Sequence, residues 1–198
     1  MNTTQNLLEN YKLEGESLTI FTYPAPILKK VAEPVTEFND ELKTFVKNML
    51  YTMYMAPGIG LAAPQVGKSI RVFVMDIDYD REEVTLADGT TDYRLSNFNP
   101  KVLINPVFKQ KIGEQICEEG CLSLPGIYEE VKRAESLVVE YQDLDGNHIS
   151  EEIHEFRAVC MQHENDHLDG IVFIDRLSLL KKNLLAKKFL KLKKKKGL

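Results

Sequence analysis

The sequence is poor in cysteine and has no long apolar run, and both shortages narrow the class of protein. Its three cysteines are too few, and odd in number, for a disulfide framework, which favours a reducing compartment such as the cytoplasm. No apolar stretch approaches the roughly 18 residues that cross a bilayer, so no membrane-spanning segment is expected. The first residues lack a basic segment followed by an apolar one, and residues 9–16 are acidic, so organelle import is not expected.

The net charge of −5 is unevenly distributed along the 198 residues. Residues 181–198 hold nine of the 25 basic residues and no acid, whereas all 30 acidic residues precede them. With 43% hydrophobic residues the chain can bury one good core. We therefore expect a single domain over residues 1–180, followed by a basic helical tail over 181–198.

Periodicity and turn residues predict the order of the elements. A short strand is expected at 17–22, and then a helix that Asn39 or Asp40 can cap and that Pro57-Gly58 stops. Its core positions fall at helical spacing: Leu42, Phe45, Val46, Met49, Leu50 and Met53.

Strands dominate the middle of the chain and helices its end. Strands are predicted at 70–77, 102–105, 115–117, 137–141 and 148–154, with hairpin turns at Asp88-Gly89 and Asp145-Gly146. A helix over 156–168 ends at Asp169-Gly170, and a second follows at 178–198. This order predicts an α+β fold in which antiparallel strands pack around a central helix, not an alternating doubly wound sheet.

Two histidines on the central helix form the most informative pattern in the chain. Residues i and i+4 share a face of a helix, so His163 and His167 can bind one metal ion together. Glu164 can take a proton from a water on that metal and return it to a leaving group. The pattern therefore predicts hydrolysis rather than electron transfer.

A hydrolytic metal site usually has three protein ligands and one open position. Cys121 is favoured as the third ligand, because it ends a strand-like segment from which a thiolate can face the helix. His148 and His154 are alternatives, although their polar neighbours on a predicted hairpin favour exposure.

A closed structural zinc site is also conceivable, with Cys117 as a fourth ligand beside Cys121 and the two histidines. A structural zinc site carries out no reaction, so it does not require a general base such as Glu164. Its ligand pairs are usually separated by roughly 12–15 residues, far fewer than lie between Cys121 and His163. We therefore expect Cys117 to be no ligand.

Three segments together resemble a known family. They are GIGLAAPQ at 58–65, EGCLS at 119–123 and QHENDH at 162–167, similar to the three signature motifs of bacterial peptide deformylases and in the same order. The resemblance covers roughly residues 18–180, and three motifs at appropriate intervals are specific. It implies an enzyme that hydrolyses the formyl group of N-formylmethionyl nascent peptides and releases formate.

The resemblance also implies roles for the motif residues. It assigns Cys121, His163 and His167 to the metal and Glu164 to general base and acid catalysis. Family resemblance favours Fe(II). The donor types alone also accept zinc, nickel or cobalt.

For transition-state and substrate binding the resemblance points to the other two motifs. It places Gln65 and the backbone N–H of Leu122 at the oxyanion. The backbone at Ile59, Gly60 and Gly120 would pair with the extended peptide as an added strand.

A pocket near Ile59 and Cys160 would select the initiator methionine, although Cys160 fits equally well as a small buried hydrophobe. One departure is that Pro125 is followed by Gly126-Ile127-Tyr128, where many relatives carry a Gln-Arg pair, which leaves contacts to the distal peptide open. A zinc endopeptidase is the alternative enzyme, but the cysteine ligand and the glycine-rich first motif fit it poorly.

The basic tail allows several interpretations. An apolar stripe among its lysines can dock on the body of the protein. The nine lysines can instead pair with ribosomal RNA phosphates, as in some bacterial deformylases with similar extensions, and an anionic membrane is a weaker option. The residues of the apolar stripe are Leu180, Leu184, Leu185, Phe189 and Leu192.

For the oligomeric state, the family resemblance implies a monomer.

Overall fold

The computed structural model describes residues 12–197 of the chain, so residues 1–11, which include the first part of the acidic stretch at 9–16, and the final Leu198 lie outside the described residues. Three α-helices occur in that range: α1 (Asp40–Met55), α2 (Glu155–Leu168) and α3 (Leu179–Lys196). The nine strands in the same range are β1 (Gly60–Ala62), β2 (Val72–Met75), β3 (Asp80–Thr85), β4 (Thr91–Ser96), β5 (Lys101–Ile112), β6 (Gln115–Gly120), β7 (Tyr128–Arg133), β8 (Ser136–Gln142) and β9 (His148–His154).

The strands form one large sheet and two hairpins. The five-stranded sheet has the order β1-β2-β5-β8-β9, while β3 pairs with β4 and β6 with β7. Each of these pairings is antiparallel. The predicted α+β fold with a C-terminal helix is confirmed.

Helix α1 follows the sequence prediction closely. The Asn39 side chain accepts a hydrogen bond from the Leu42 N–H at 3.0 Å, which satisfies a free donor of the first turn. All six predicted core positions of the helix are buried. The helix ends at Met55, shortly before Pro57, which cannot continue it.

Helices α1 and α2 cover opposite faces of the large sheet. Side chains alternate between the two faces of a strand, and on β2 Val72 and Val74 pack with α1 whereas Phe73 and Met75 pack with α2. Strand β6 of the second hairpin also contacts α2, so strands pack around this helix, as predicted. Its C-terminus lies at Asp169, and Gly170 has a φ of +71° that favours glycine.

One strand prediction was wrong, and strands β1 and β7 were not predicted. Residues 17–22 form no strand, because Phe21 and Tyr23 donate single hydrogen bonds to two different loops, at Gln65 O (2.7 Å) and Ser123 O (2.9 Å). Strand β7 was not predicted, because only Val131 and Arg133 of its six residues are buried and most of the others are charged. The hairpin turns at Asp88-Gly89 and Asp145-Gly146 are confirmed.

Helix α3 docks on the body through fewer residues than predicted. Leu185 and Phe189 are buried against Leu124, Ile127 and other side chains of the same cluster, whereas two predicted stripe residues remain exposed. The cause is geometric: a neighbour in sequence is rotated by about 100° around a helix, which turns Leu184 away from the face of Leu185. The exposed fractions are 82% for Leu180 and 65% for Leu184.

The described helices include no segment with the length and apolar character that crossing a bilayer requires.

Candidate active site

Three potential metal-binding side chains meet between α2 and the end of β6. The ligand atoms of Cys121, His163 and His167 all lie within 4.8 Å of one another, and Cys121 Sγ is 3.3 Å from His167 Nε2. The two histidines are one helical turn apart on α2, while Cys121 directly follows the last residue of β6. The sequence prediction of these three residues as neighbours agrees with this geometry.

The chemistry of the three donors suits a divalent transition metal. One thiolate and two imidazoles leave a fourth position open, as hydrolytic sites require. Burial lowers the pKa of His167 well below the usual value, whereas hydrogen bonds with Cys121 and Glu119 outweigh burial and raise the pKa of His163. The residues therefore fit a resident metal ion.

The alternative ligands lie elsewhere. His148 and His154 are at the two ends of β9, and Cys117 lies on β6. Among the residues that the structure describes, none of these three belongs to the cluster around Cys121. A closed four-ligand site with Cys117 is therefore not assembled in this fold.

Glu164 lies beside the cluster in an environment that changes its acidity. The side chain is buried, and within residues 12–197 its Oε2 has no hydrogen-bond partner. Burial raises the pKa of Glu164 to about 7, because a charge is poorly solvated there. A Cβ on Gly60 would lie 2.3 Å from Glu164 Oε1, so only glycine at position 60 leaves room for this carboxyl group.

Gln65 is fixed by hydrogen bonds at both ends of its amide. Its Oε1 accepts from the Ala62 N–H at 2.8 Å, and its Nε2 lies 3.2 Å from Ser123 Oγ and 3.5 Å from Cys121 Sγ. The amide N–H group is therefore directed at the cluster. Leu122, next to Cys121, lines the same cavity.

A cavity of about 490 Å³ opens in front of these residues, between the loop before β1 and the end of β6. Ile59, Gly60 and Gly120, which the resemblance assigned to peptide binding, all line it. Cys160 and Val159 line it as well, so Cys160 shares one cavity with Ile59.

The edges of the cavity are free to pair with a peptide. Strand β1 is the end strand of the large sheet, and β6 pairs only with β7 among the strands of the described region. An extended chain placed in the cavity thus meets two strand edges that no other described strand covers.

A buried network of charges holds His163 in place. Glu119 Oε2 lies 2.8 Å from His163 Nδ1, and Arg133 donates to both oxygens of Glu119 at 2.7 and 2.9 Å. Arg133 also donates to Asp166 at 2.5 Å, and Arg176 donates to the same carboxylate. With Nδ1 engaged, the Nε2 atom of His163 is left to face the cluster.

The network also determines the charge of Glu119. Burial alone would raise the pKa of this carboxyl group, but the hydrogen bonds from Arg133 and His163 outweigh burial and hold the pKa at about 2. Sequence reasoning missed Glu119, Arg133 and Asp166 as site residues. The alternation of β7, which places Val131 and Arg133 on one face, could have indicated Arg133 if that strand had been predicted.

Comparison with known proteins agrees with this geometry. The polypeptide deformylase family model matches residues 17–183. A peptide deformylase of Novosphingobium aromaticivorans is 47% identical over 88% of this chain and 96% of its own length. A peptide deformylase of Acidobacterium capsulatum is 44% identical over 88% of this chain and 95% of its own.

Solved structures give the same result. A crystal structure of a peptide deformylase from Legionella pneumophila has a TM-score of 0.79 and 37% identity, with 91% of this chain and 98% of that chain covered. A second, from Synechococcus elongatus in complex with actinonin, has a TM-score of 0.75 and 34% identity, with 90% and 91% covered. Fold, site geometry and sequence thus lead to one conclusion: the chain belongs to the polypeptide deformylase family.

Proposed function

We propose that this protein removes the formyl group from the N-terminal formylmethionine of newly synthesised polypeptides and releases formate. The observation that carries the proposal is the cluster of Cys121, His163 and His167 beside the buried Glu164, at the base of a cavity between two free strand edges. Membership of the deformylase family supports the same activity.

Cys121, His163 and His167 would hold one divalent metal, with Fe(II) as the proposed ion and zinc, nickel or cobalt as ions that the same donors accept. When bound, the metal would supply Lewis acidity for the formyl carbonyl and lower the pKa of a water. Glu119 supports this role by orienting His163, since a partner on the second ring nitrogen fixes a ligating histidine.

Glu164 serves as the proton carrier of the proposed reaction. As a carboxylate it accepts a proton from the attacking water, and as an acid it donates that proton to the departing amine. A pKa of about 7 makes both forms accessible near neutral pH. A positioned group of this kind contributes roughly 10²–10⁴ to the rate.

Gln65 and the backbone N–H of Leu122 are the proposed oxyanion donors. Hydrolysis places negative charge on the former carbonyl oxygen, and donors that are already oriented stabilise this charge without reorganising. The bond from the Ala62 N–H supports the role of Gln65, because it prevents the amide from rotating. Loss of one such donor typically costs about 10²–10³ in rate.

Substrate binding would use the backbone more than side chains. Ile59 and Gly60 on one edge and Gly120 on the other would pair with the extended peptide, which lets one enzyme accept many sequences. The methionine side chain would enter the part of the cavity lined by Val159 and Cys160.

The decisive experiment is formate release from a formyl-Met-Ala-type peptide by protein that has been purified anaerobically and loaded with iron. We expect release by the wild type and a loss of at least about 10²-fold for Glu164→Gln, with the metal content unchanged. A metal-loaded, folded wild type that releases no formate would refute the function. Equal rates for both proteins would refute the role of Glu164.

The same proposal divides the chain into a catalytic domain, residues 1–180, and a basic tail, 181–198, which would contact ribosomal RNA in the cytoplasm. The protein is proposed to act as a monomer without a membrane partner. Lys187, Lys188 and Lys191 support the RNA contact, because they lie exposed on α3. Truncation is a poor test of this contact, since Leu185 and Phe189 pack against Leu124, close to Cys121.

A charge variant tests the ribosome contact without disturbing the docked face of α3. We expect the triple change of Lys187, Lys188 and Lys191 to glutamine to weaken ribosome binding and to flatten its salt dependence, while the matched change to arginine preserves both. Unchanged affinity of the glutamine variant across salt concentrations would refute the contact.

A further inference from the structure

The backbone of Ile59 lies at the edge of the cavity, directly before β1. Its carbonyl oxygen accepts a hydrogen bond from the Asp76 N–H at 2.9 Å, whereas its own N–H donates to no backbone group within residues 12–197. An N–H group without a backbone partner beside a peptide-binding edge can donate to a backbone carbonyl of the substrate. The direction of this N–H group therefore matters for binding.

Tyr79 holds the other end of the same peptide unit. Tyr79 directly precedes β3, and its hydroxyl donates to the Gly58 carbonyl oxygen at 3.1 Å. The bond between Gly58 and Ile59 is trans, so the Gly58 C=O and the Ile59 N–H lie in one plane and point in opposite directions. Tyr79 is not among the described residues that line the cavity. By fixing the oxygen on its own side, Tyr79 therefore directs the Ile59 N–H away from itself, to the side of the cavity.

Asp76 in turn fixes the position of Tyr79. Its buried carboxylate accepts from the Tyr79 N–H at 3.2 Å and from the Tyr54 hydroxyl at 2.6 Å. The rings of Tyr54 and Tyr79 pack edge to face with their centroids 4.9 Å apart. Since the Asp76 N–H also holds the Ile59 carbonyl oxygen, both peptide units that flank Ile59 are anchored to the segment between β2 and β3.

We propose that Tyr79 is a positioning residue for peptide binding, because its hydroxyl orients the Ile59 N–H for donation to a backbone carbonyl of the substrate. This inference rests on the proposed deformylase function. Tyr79 acts through the peptide unit between Gly58 and Ile59 and contacts neither the metal ligands nor Glu164. A substrate contact that is equally strong in the ground state and the transition state affects KM and leaves kcat unchanged.

The variant Tyr79→Phe tests the proposal, because it removes the hydroxyl and keeps the ring that packs on Tyr54. For formyl-Met-Ala-Ala we expect KM to rise about three- to tenfold and kcat to stay within about twofold, since one hydrogen bond contributes modestly. The matched control Tyr93→Phe removes a hydroxyl on the exposed strand β4, where the ring stacks on Arg81, and should leave KM unchanged. An unchanged KM for Tyr79→Phe, or a fall in kcat alone, would overturn the inference.

Modified substrates separate positioning from a general loss of structure. In two analogues of formyl-Met-Ala-Ala, a trans alkene of the same shape replaces the amide after methionine or the amide after the first alanine, which removes one carbonyl acceptor. We expect wild type and Tyr79→Phe to have equal kcat/KM for at least one analogue, because the acceptor of the Ile59 N–H is then missing in both. A defect of the same size with all three substrates would overturn the inference. Failure of the wild type to release formate from the parent peptide would instead overturn the proposed function.

Discussion

Helices α2 and α3 differ in the kind of residue that each one buries. In α2 the polar residues His163, Glu164, Asp166 and His167 are buried. In α3 the residues buried in the described structure are Leu185 and Phe189, while most of the lysines face solvent. Buried polar groups need hydrogen-bond partners, so the network of charges fixes the orientation of α2. Helix α3 is attached to the body by a few apolar contacts instead.

The largest effect is expected from breaking the network of α2. Arg133→Met keeps most of the side-chain volume but leaves Glu119 and Asp166 without their buried cation. We expect the free energy of unfolding to fall by about 3–5 kcal/mol in urea titrations. The control Arg157→Met, on α2, removes a partly exposed ion pair with Asp78. It should lower the free energy of unfolding by no more than about 1 kcal/mol. Equal losses of stability in the two variants would contradict the claim that the buried network holds α2 in place.

Two neighbouring leucines test how α3 is attached. Leu185→Ala removes a buried side chain and should lower the free energy of unfolding by about 2–3 kcal/mol. Leu184→Ala, one residue away but exposed, should change it by less than about 0.5 kcal/mol. A large loss for Leu184→Ala would mean that the exposed face of α3 is covered in solution.

The link between α3 and the body should depend on pH. Asp175 forms ion pairs with Lys182 of α3, at 2.7 Å, and with Lys29. Burial would raise the pKa of Asp175, but the hydrogen bonds from Lys182 and Lys29 outweigh it, so the pKa is lowered. A lowered pKa contributes stability above the unfolded value of about 3.9 and loses it as the pH falls through the folded value.

Asp175→Asn should therefore destabilise the protein by about 1 kcal/mol at pH 7, since the partners are partly exposed, and by progressively less below pH ~4. Unfolding free energies of both proteins across pH measure the difference. A loss that is the same at pH 3 and pH 7 would show that the charge of Asp175 is not the cause.

The smallest effect concerns the first residue of α2. Glu155 has a φ of +52°, a region that costs a residue with a Cβ roughly 1–2 kcal/mol. Glu155→Gly should stabilise the protein by up to about 1 kcal/mol, because the flexibility of glycine offsets part of the gain. Glu155→Ala retains the Cβ and should give no such gain in thermal unfolding.

The two helices also differ in how well the sequence predicts them. The histidine spacing and the glycine after Asp169 predict α2 and its metal-binding face, because these features are local. Glu119 and Arg133 were missed, since their partners lie on other elements and only the fold brings them together. For α3 the spacing predicts the helix but not the exposure of Leu180, because the width of the docked stripe depends on the surface that receives it.

The most direct test of the account is metal binding by cysteine variants, with Co(II) as the probe. We predict a thiolate-to-cobalt absorption band and one bound ion per chain for the wild type and for Cys117→Ser, and the loss of the band for Cys121→Ser. Retention of the band in Cys121→Ser, or its loss in Cys117→Ser, would contradict the proposal that Cys121, His163 and His167 hold the catalytic metal.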